Sequence, residues 1–225
     1  FQLSIELYDT KESKVVWSDN WEEDWKNLTI IKEKLSKSLL DVLNKNSNNV
    51  GSLSQVNTEA YEYYLKGKYK IYSIDSKPED IDVGVDFIKK AIELDSNLIE
   101  ARENLAGISM GRFELDSAYN QSKEIIKILG KSEKKKDLAR LYQAKAFHVF
   151  LQDMIEVIKH DNMDFKSMLD YKKIKKYTDK SIDIALEIED IVLVAKARGL
   201  IGSVLGLMER REEGLELQKQ SLEMY

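Results

Sequence analysis

Residues that interrupt helices are scarce in this sequence. Proline occurs once, at Pro78, and glycine ten times among 225 residues, where average usage would give roughly 27 of the two together. Their scarcity argues against a sandwich, a barrel or a glycine-looped nucleotide-binding enzyme, and it predicts long helices. Cysteine is absent, which excludes disulfides, thiolate zinc sites and cysteine nucleophiles.

Charge and hydropathy narrow the class further. Charged residues make up 33% of the chain and hydrophobic residues 43%, a balance typical of a folded, water-soluble protein. The net charge of −5 argues against nucleic acid as the main partner. The most apolar stretch, IVLVAKARGLIGSVLGLM, is interrupted by Lys196 and Arg198, so we expect no membrane span there. Because the chain starts at Phe1 without a secretion signal, we expect a piece of a longer protein. Its location stays open: cytoplasmic, or periplasmic if the missing upstream part contains a membrane span.

The first 46 residues differ in pattern from the rest. Apolar and polar residues alternate over FQLSIELYD, and KVVWSDN resumes an extended pattern after a polar turn at residues 10–13. This pattern predicts a β-hairpin. A predicted helix over Leu28–Leu43 follows, with apolar residues three or four positions apart, and then an Asn/Ser-rich linker. We therefore predict a partial α/β domain at residues 1–46 and a linker at residues 47–56.

The three tryptophans, Trp17, Trp21 and Trp25, lie within nine residues of this segment. They suit either a self-association surface that makes a homodimer or a small core built from large rings. An isolated two-stranded hairpin is marginal in water and exposes strand edges. The segment must therefore pack on the following helix, on the helical body or on another chain.

From Asn57 onward the sequence is helical and repeats. Ala91 and Ile125 are 34 residues apart, and so are Gly84 and Ala118. A period of this length indicates pairs of helices that stack into a solenoid. Each pair needs small residues where its two helices touch and large apolar residues between them.

The join after the helix that ends near residue 94 resembles a tetratricopeptide repeat (TPR). The matching residues are Ala91, Ile92, Glu93, Leu94, Asp95, Ser96 and Asn97, followed by Ile99, Glu100, Ala101, Leu105 and Ala106. Ser96 replaces the usual proline and Ala106 the usual glycine. The final unit matches at Ala197, Ile201, Gly202, Gly214 and Ser221. The resemblance implies a mainly α fold, a TPR-like solenoid of about four units over residues 57–225, preceded by the β-hairpin plus helix.

Two of the four units are irregular. The third carries about 22 extra residues, with Ser181 in the small position of its second helix. We assign the excess to extended helices around Ala144–Lys159 and Phe165–Tyr177, hinged at HDNMD. In the first unit, Pro78 is predicted to lie in the loop between the two helices.

The whole chain also resembles the carboxy-terminal half of a bacterial family. Its members carry a TolB-amino-terminal-like α/β domain and TPR units, and many are fused to a class III adenylate/guanylate cyclase or to a CadC-like winged-helix regulator. The matching residues are Val16, Trp17, Ser18 and Asp19 in the strand and Tyr61, Tyr64, Leu65 and Gly67 in the first repeat helix. The resemblance implies a regulatory or assembly module, with any catalytic or DNA-binding domain outside this sequence.

The sequence contains no motif for nucleotide binding, metalloprotease activity or an EF-hand. Its two histidines, His148 and His160, are 12 residues apart, which excludes an i,i+4 metal pair. His148 suits a half-buried helix position or a proton shuttle. The HDNMD segment suits a helix end with a cap or an oxygen-ligated cation. We expect no metal, no cofactor and no enzyme activity in this chain.

Partner binding is the function we expect. In a solenoid the first helix of each unit lines the concave face, and the register places there Glu62, Lys66, Tyr69, Glu103, Gly107, Met110, Gly199 and Ser203. These residues suit a peptide or a protein partner. Alternatively, Tyr61 and Tyr64 are core residues and the rest is solvated surface. Two further hypotheses stay open: a dimerisation element without a ligand, and a small-ligand sensor that controls an attached cyclase or DNA-binding domain.

Overall fold

The computed structural model describes residues 2–9, 14–22, 57–160 and 165–223. It confirms a mainly α protein with an amino-terminal β-hairpin. The strands are β1 (Gln2–Asp9) and β2 (Lys14–Glu22). The helices of the described residues are α1 (Thr58–Tyr72), α2 (Pro78–Leu94), α3 (Ile99–Gly111), α4 (Leu115–Leu129), α5 (Lys135–Lys159), α6 (Phe165–Met168), α7 (Tyr171–Glu187), α8 (Ile191–Leu207) and α9 (Arg211–Leu222). The chain divides into two compact units, which are larger than the predicted repeats. The first unit is Phe1–Ala101 and the second unit is Arg102–Tyr225.

The hairpin pairs β1 and β2 in antiparallel register, with Leu3 opposite Trp21 and Leu7 opposite Trp17. The register shifts after Leu7, so that β2 carries one extra residue there, as in a β-bulge. Leu3 and Ile5 are half-buried while their neighbours along β1 are exposed, which confirms the predicted alternation. The predicted helix over 28–43, the linker and Trp25 lie outside the described residues, and the predicted domain boundaries stay a prediction.

Helices α1 and α2 form an antiparallel pair in the first unit. The Asn57 side chain accepts a hydrogen bond from Ala60 N–H at the start of α1 and donates one to Leu94 O at the end of α2, at 3.2 and 3.0 Å. In the middle of the pair, a Cβ added at Gly67 would lie 2.7 Å from the carbonyl oxygen of Gly84. The predicted close approach of the two helices at Gly84 is therefore confirmed.

Pro78 is the first residue of α2, so its predicted place in the loop was wrong. Its fixed φ suits the first helical position, where the backbone N–H has no intrahelical acceptor. The following residues complete the helix start, because the Asp80 carboxylate accepts a hydrogen bond from Lys77 N–H at 3.1 Å.

In the second unit, α5 is the central helix and packs against both α4 and α7. Its side chains form much of the core together with residues of α7 and α8: Phe150, Leu151, Met154, Ile174, Val204 and Leu205 are all buried in one cluster. Farther along the chain α7 packs on α8 and α8 on α9. The order of packing thus follows the order of the chain, as expected for helical repeats.

Small residues mark the closest helix contacts of this unit. Ser181 in α7 is fully buried and donates a hydrogen bond to the carbonyl oxygen of Ala139 in α5 at 2.9 Å. A Cβ added at Gly214 in α9 would lie 2.6 Å from the carbonyl oxygen of Gly202 in α8. The repeat register predicted Ser181, Gly202 and Gly214 at such contacts, and the structure confirms them.

The prediction of one helix over Phe165–Tyr177 was wrong, because two separate helices, α6 and α7, occupy this range. Asp170 lies at the interruption and makes two hydrogen bonds there. Its carboxylate accepts a hydrogen bond from Lys173 N–H at 3.0 Å and caps α7, while its own N–H donates to the Asp153 carboxylate of α5 at 2.8 Å. The other predicted extended helix, Ala144–Lys159, is part of α5, and residues 161–164 of the predicted hinge lie outside the described residues.

Among the described helices, none is both long enough and apolar enough to cross a membrane.

Candidate partner-binding pocket

Four helices of the second unit, α3, α4, α5 and α8, surround a pocket of about 270 Å³. Apolar side chains form most of its wall: Ala106, Ile125, Ala144, Phe147 and Leu200. Polar and charged groups complete it: Glu103, Ser122, Arg140, Gln143 and Lys196. Pockets for small ligands usually begin at about 300 Å³, so this one is sized for a side chain or a small molecule.

Helical spacing brings these residues to one place. The pocket residues of α5, from Arg140 to Phe147, are spaced by three, one and three positions. Those of α3 are spaced by three and one positions, and the two of α8 by four. Residues three and four positions apart share a helix face. The pocket is therefore formed by one face of each helix, with Gly107 of α3 leaving space at its wall.

Glu103 connects three of the four helices. Its Oε1 accepts a hydrogen bond from Arg140 Nε at 2.8 Å, and its Oε2 lies 3.4 Å from Lys196 Nζ. The Arg140 side chain is only 9% exposed, whereas that of Lys196 is 44% exposed. One carboxylate therefore faces two cations, and the charged groups that line the pocket carry one net positive charge.

Ser122 and His148 form a second polar contact at the pocket. Ser122 Oγ donates to the carbonyl oxygen of Tyr119 at 2.7 Å and lies 2.8 Å from His148 Nδ1. With its single proton on that carbonyl, the hydroxyl can accept the second bond only from the Nδ1–H tautomer of His148. Burial lowers the pKa of His148, and the nearby Lys123 and Lys173 add to the effect. A neutral imidazole that is stacked on the Tyr119 ring at 4.2 Å favours the half-buried structural interpretation over a proton shuttle.

Two of the eight residues predicted on the concave face, Glu103 and Gly107, line the pocket. Met110 packs instead against the core cluster of the second unit. Gly199 is half-buried and accepts a hydrogen bond from the exposed Ser203 hydroxyl at 3.0 Å. These last three residues do not line the pocket.

The other three predicted residues belong to the first unit. Glu62 and Lys66 form an ion pair at 2.6 Å, and Tyr69 is 73% exposed. Lys66 and Tyr69 line a second, mostly apolar pocket of about 390 Å³ together with Leu65, Lys70 and Phe87. In the same helix Tyr64 is buried and Tyr61 is half-buried, where burial raises its pKa.

The residues predicted for self-association are placed only in part. Trp17 and Trp21 belong to β2, and Trp25 lies outside the described residues. Within the described part of the chain, no group of three or more histidine or acidic side chains is arranged to hold a metal ion. His160 follows the end of α5 and lies 3.7 Å from Glu156.

Arg140, Gln143 and Lys196 were missed by the sequence reasoning. A signal for two of them was present in the sequence. Lys196 interrupts the most apolar helix, and Arg140 stands between the buried Ala139 and Leu141. A charged residue among apolar neighbours needs a partner, so both positions could have been singled out, but the sequence does not show that the partner is Glu103.

No protein-family model matches this sequence, and no curated protein matches it either.

Proposed function

We propose that this chain is a non-catalytic protein-interaction module of the TPR type, and that the pocket of its second unit receives a side chain of a partner protein. The 34-residue register and the small residues at the helix contacts support the repeat assignment. The pocket carries the functional part of the proposal, because it combines apolar walls with a few converging polar groups, the usual composition of a binding site.

The size of the pocket suits one apolar side chain of a bound segment. Its wall is made by Ala106, Ile125, Ala144, Phe147 and Leu200. Full burial of a leucine- or phenylalanine-sized side chain contributes about 1.5–3 kcal/mol. One such contact gives weak binding, so a partner segment must also use the polar groups or the neighbouring helix surfaces.

The resemblance to bacterial signalling proteins gives this module a setting. In those proteins a TPR region follows a TolB-like domain, and the same chain often contains a cyclase or a DNA-binding domain. We propose that partner binding, or self-association through the tryptophan segment, regulates or assembles such an attached output domain. A small-ligand sensor is the second candidate function, since the same pocket has the composition of a small-molecule site.

Gly107 offers a way to close the pocket without disturbing the fold. It lies in α3 at the pocket wall, and a Cβ added there meets no atom of the described residues within 4 Å, apart from its chain neighbours and its own helix backbone. Gly107→Phe therefore directs a ring into open space. Gly111→Phe is the matched control, because Gly111 belongs to the same helix, is equally open and does not line the pocket.

The experiment uses quantitative mass spectrometry to compare the proteins that co-purify from a lysate with the wild type and with each variant. Circular dichroism first establishes that the three proteins have the same helix content. We expect a defined set of proteins that the wild type and Gly111→Phe retain and that Gly107→Phe loses. An identical set for all three would contradict the proposal. A metabolite that raises the melting temperature of the wild type and of Gly111→Phe, but not of Gly107→Phe, would favour the sensor.

A further inference from the structure

The pocket of the second unit is positively charged although the chain carries a net charge of −5. Its charged residues are Glu103, Arg140 and Lys196. A ligand cation would meet the Lys196 ammonium group at the pocket, whereas a ligand anion would be attracted by the excess positive charge. The sign of the charge therefore selects an anionic group for the occupant.

Arg140 and Lys196 contact Glu103 at different distances and differ in exposure. Arg140 Nε donates to Oε1 at 2.8 Å, and its side chain is 9% exposed. Lys196 Nζ lies 3.4 Å from Oε2, and its side chain is 44% exposed. The arginine pair is therefore a structural contact, while the lysine has a long, solvent-accessible contact that an incoming anion can replace at little cost.

Gln143 adds a neutral donor at the same pocket. It belongs to the pocket face of α5, and its amide makes no hydrogen bond with any other residue that the structure describes. The amide N–H groups can donate to a carboxylate oxygen. Lys196 and Gln143 together supply a charged and a neutral donor beside the apolar wall.

We propose that the occupant is a partner segment in which an aspartate or glutamate stands next to a bulky apolar residue. The apolar side chain fills the pocket against Ala144, Phe147 and Leu200, and the carboxylate binds Lys196 Nζ and the Gln143 amide. This inference rests on the proposed function, and it names the chemistry of the partner at that site.

The test uses an array of short randomised peptides with acetylated amino termini and amidated carboxyl termini, so that every carboxylate belongs to a side chain. The wild type, Lys196→Gln, Lys135→Gln and Gly107→Phe are compared. Lys135→Gln is the matched control, because Lys135 also pairs with a carboxylate, that of Glu187 at 2.8 Å, but does not line the pocket.

We expect the wild type and Lys135→Gln to enrich peptides with an acidic residue beside an aromatic or large aliphatic one. Lys196→Gln keeps the apolar preference and binds the acidic peptides about tenfold more weakly, as is typical for the loss of one charged hydrogen bond. Binding to the wild type weakens as the ionic strength rises from about 0.01 to about 0.15 M, because the contact is partly exposed. Gly107→Phe enriches none of these peptides.

The other outcomes separate the two proposals. An apolar preference without an acidic one, or an acidic preference that Lys196→Gln leaves unchanged, contradicts the inference and leaves the proposed function standing. Enrichment that appears only on an array with free carboxyl termini also contradicts it. If Gly107→Phe binds the same peptides as the wild type, or if the wild type enriches none on either array, the proposed function fails and the inference fails with it.

Discussion

Two glycines one turn apart in α8 provide the sharpest test of the packing. A Cβ added at Gly202 would lie 2.9 Å from the carbonyl oxygen of Gly214 and 2.9 Å from Gln218 Cγ. Apart from its chain neighbours and its own helix backbone, a Cβ added at Gly206 would meet no atom of the described part of the chain within 4 Å. The same substitution, glycine to alanine, therefore has opposite consequences at two positions of one helix.

The expected magnitudes follow from two terms. Alanine is favoured over glycine inside a helix by about 0.8–1.0 kcal/mol, and this gain applies at both positions. Forcing a methyl group into a closely packed contact costs about 1–3 kcal/mol, and this cost applies only at Gly202. The helix term cancels between the two variants, so Gly206→Ala should be more stable than Gly202→Ala by about 1–3 kcal/mol.

Urea denaturation followed by far-UV circular dichroism measures this difference as a shift of the midpoint at unchanged slope. Gly214→Ala checks the same contact from α9, since its Cβ would lie 2.6 Å from the carbonyl oxygen of Gly202. It should be destabilised like Gly202→Ala. Equal stability of Gly202→Ala and Gly206→Ala, or a more stable Gly202→Ala, would refute the close approach of α8 and α9.

Three further predictions concern buried polar contacts. Glu103→Gln should lower the free energy of unfolding by about 1–3 kcal/mol, because it leaves the buried Arg140 without its carboxylate. The control Glu213→Gln removes the carboxylate of an exposed pair, so it should change the free energy of unfolding little in the same urea titration. Ser181→Ala should cost about 1 kcal/mol for the lost hydrogen bond, and Ser181→Val should cost more because the position is fully buried; equal costs would contradict the tight contact. Burial lowers the pKa of His148 below 6.5, so its contribution to stability is present above about pH 6.5 and is lost as the pH falls through the folded-state pKa. The unfolding free energy of the wild type should therefore fall more than that of His148→Gln between about pH 7.5 and about pH 5, and parallel falls would contradict this.

Local chemistry made much of the fold predictable. The hairpin followed from strict alternation along β1, and the close contacts at Gly84, Ser181, Gly202 and Gly214 followed from the repeat register. These features depend on residues that are near in sequence or fixed by the period. A helix pair needs a small residue wherever two backbones approach, so the register alone locates it.

Features that depend on distant partners were not predictable in this way. The break before α7 needs Asp170 both to cap its own helix and to donate to Asp153 in α5. The pocket needs Glu103 to meet Arg140, 37 residues away, and Lys196, 93 residues away. A register shows which residues share a helix face, but it does not show which faces converge. Met110 was therefore predicted on the concave face, whereas it packs against the core cluster.

The two carboxylate oxygens of Glu103 have different partners, one buried and one half-exposed. Oε1 holds a buried arginine at 2.8 Å, whereas Oε2 has only the long contact with the half-exposed Lys196 at 3.4 Å. Removing the carboxylate therefore affects stability first, through Arg140. Removing the Lys196 charge leaves the buried pair intact, so its effect should appear in binding and not in the unfolding free energy. If Lys196→Gln instead destabilised the protein as much as Glu103→Gln, the lysine contact would be structural, and the positive charge at the pocket would not be available to a partner.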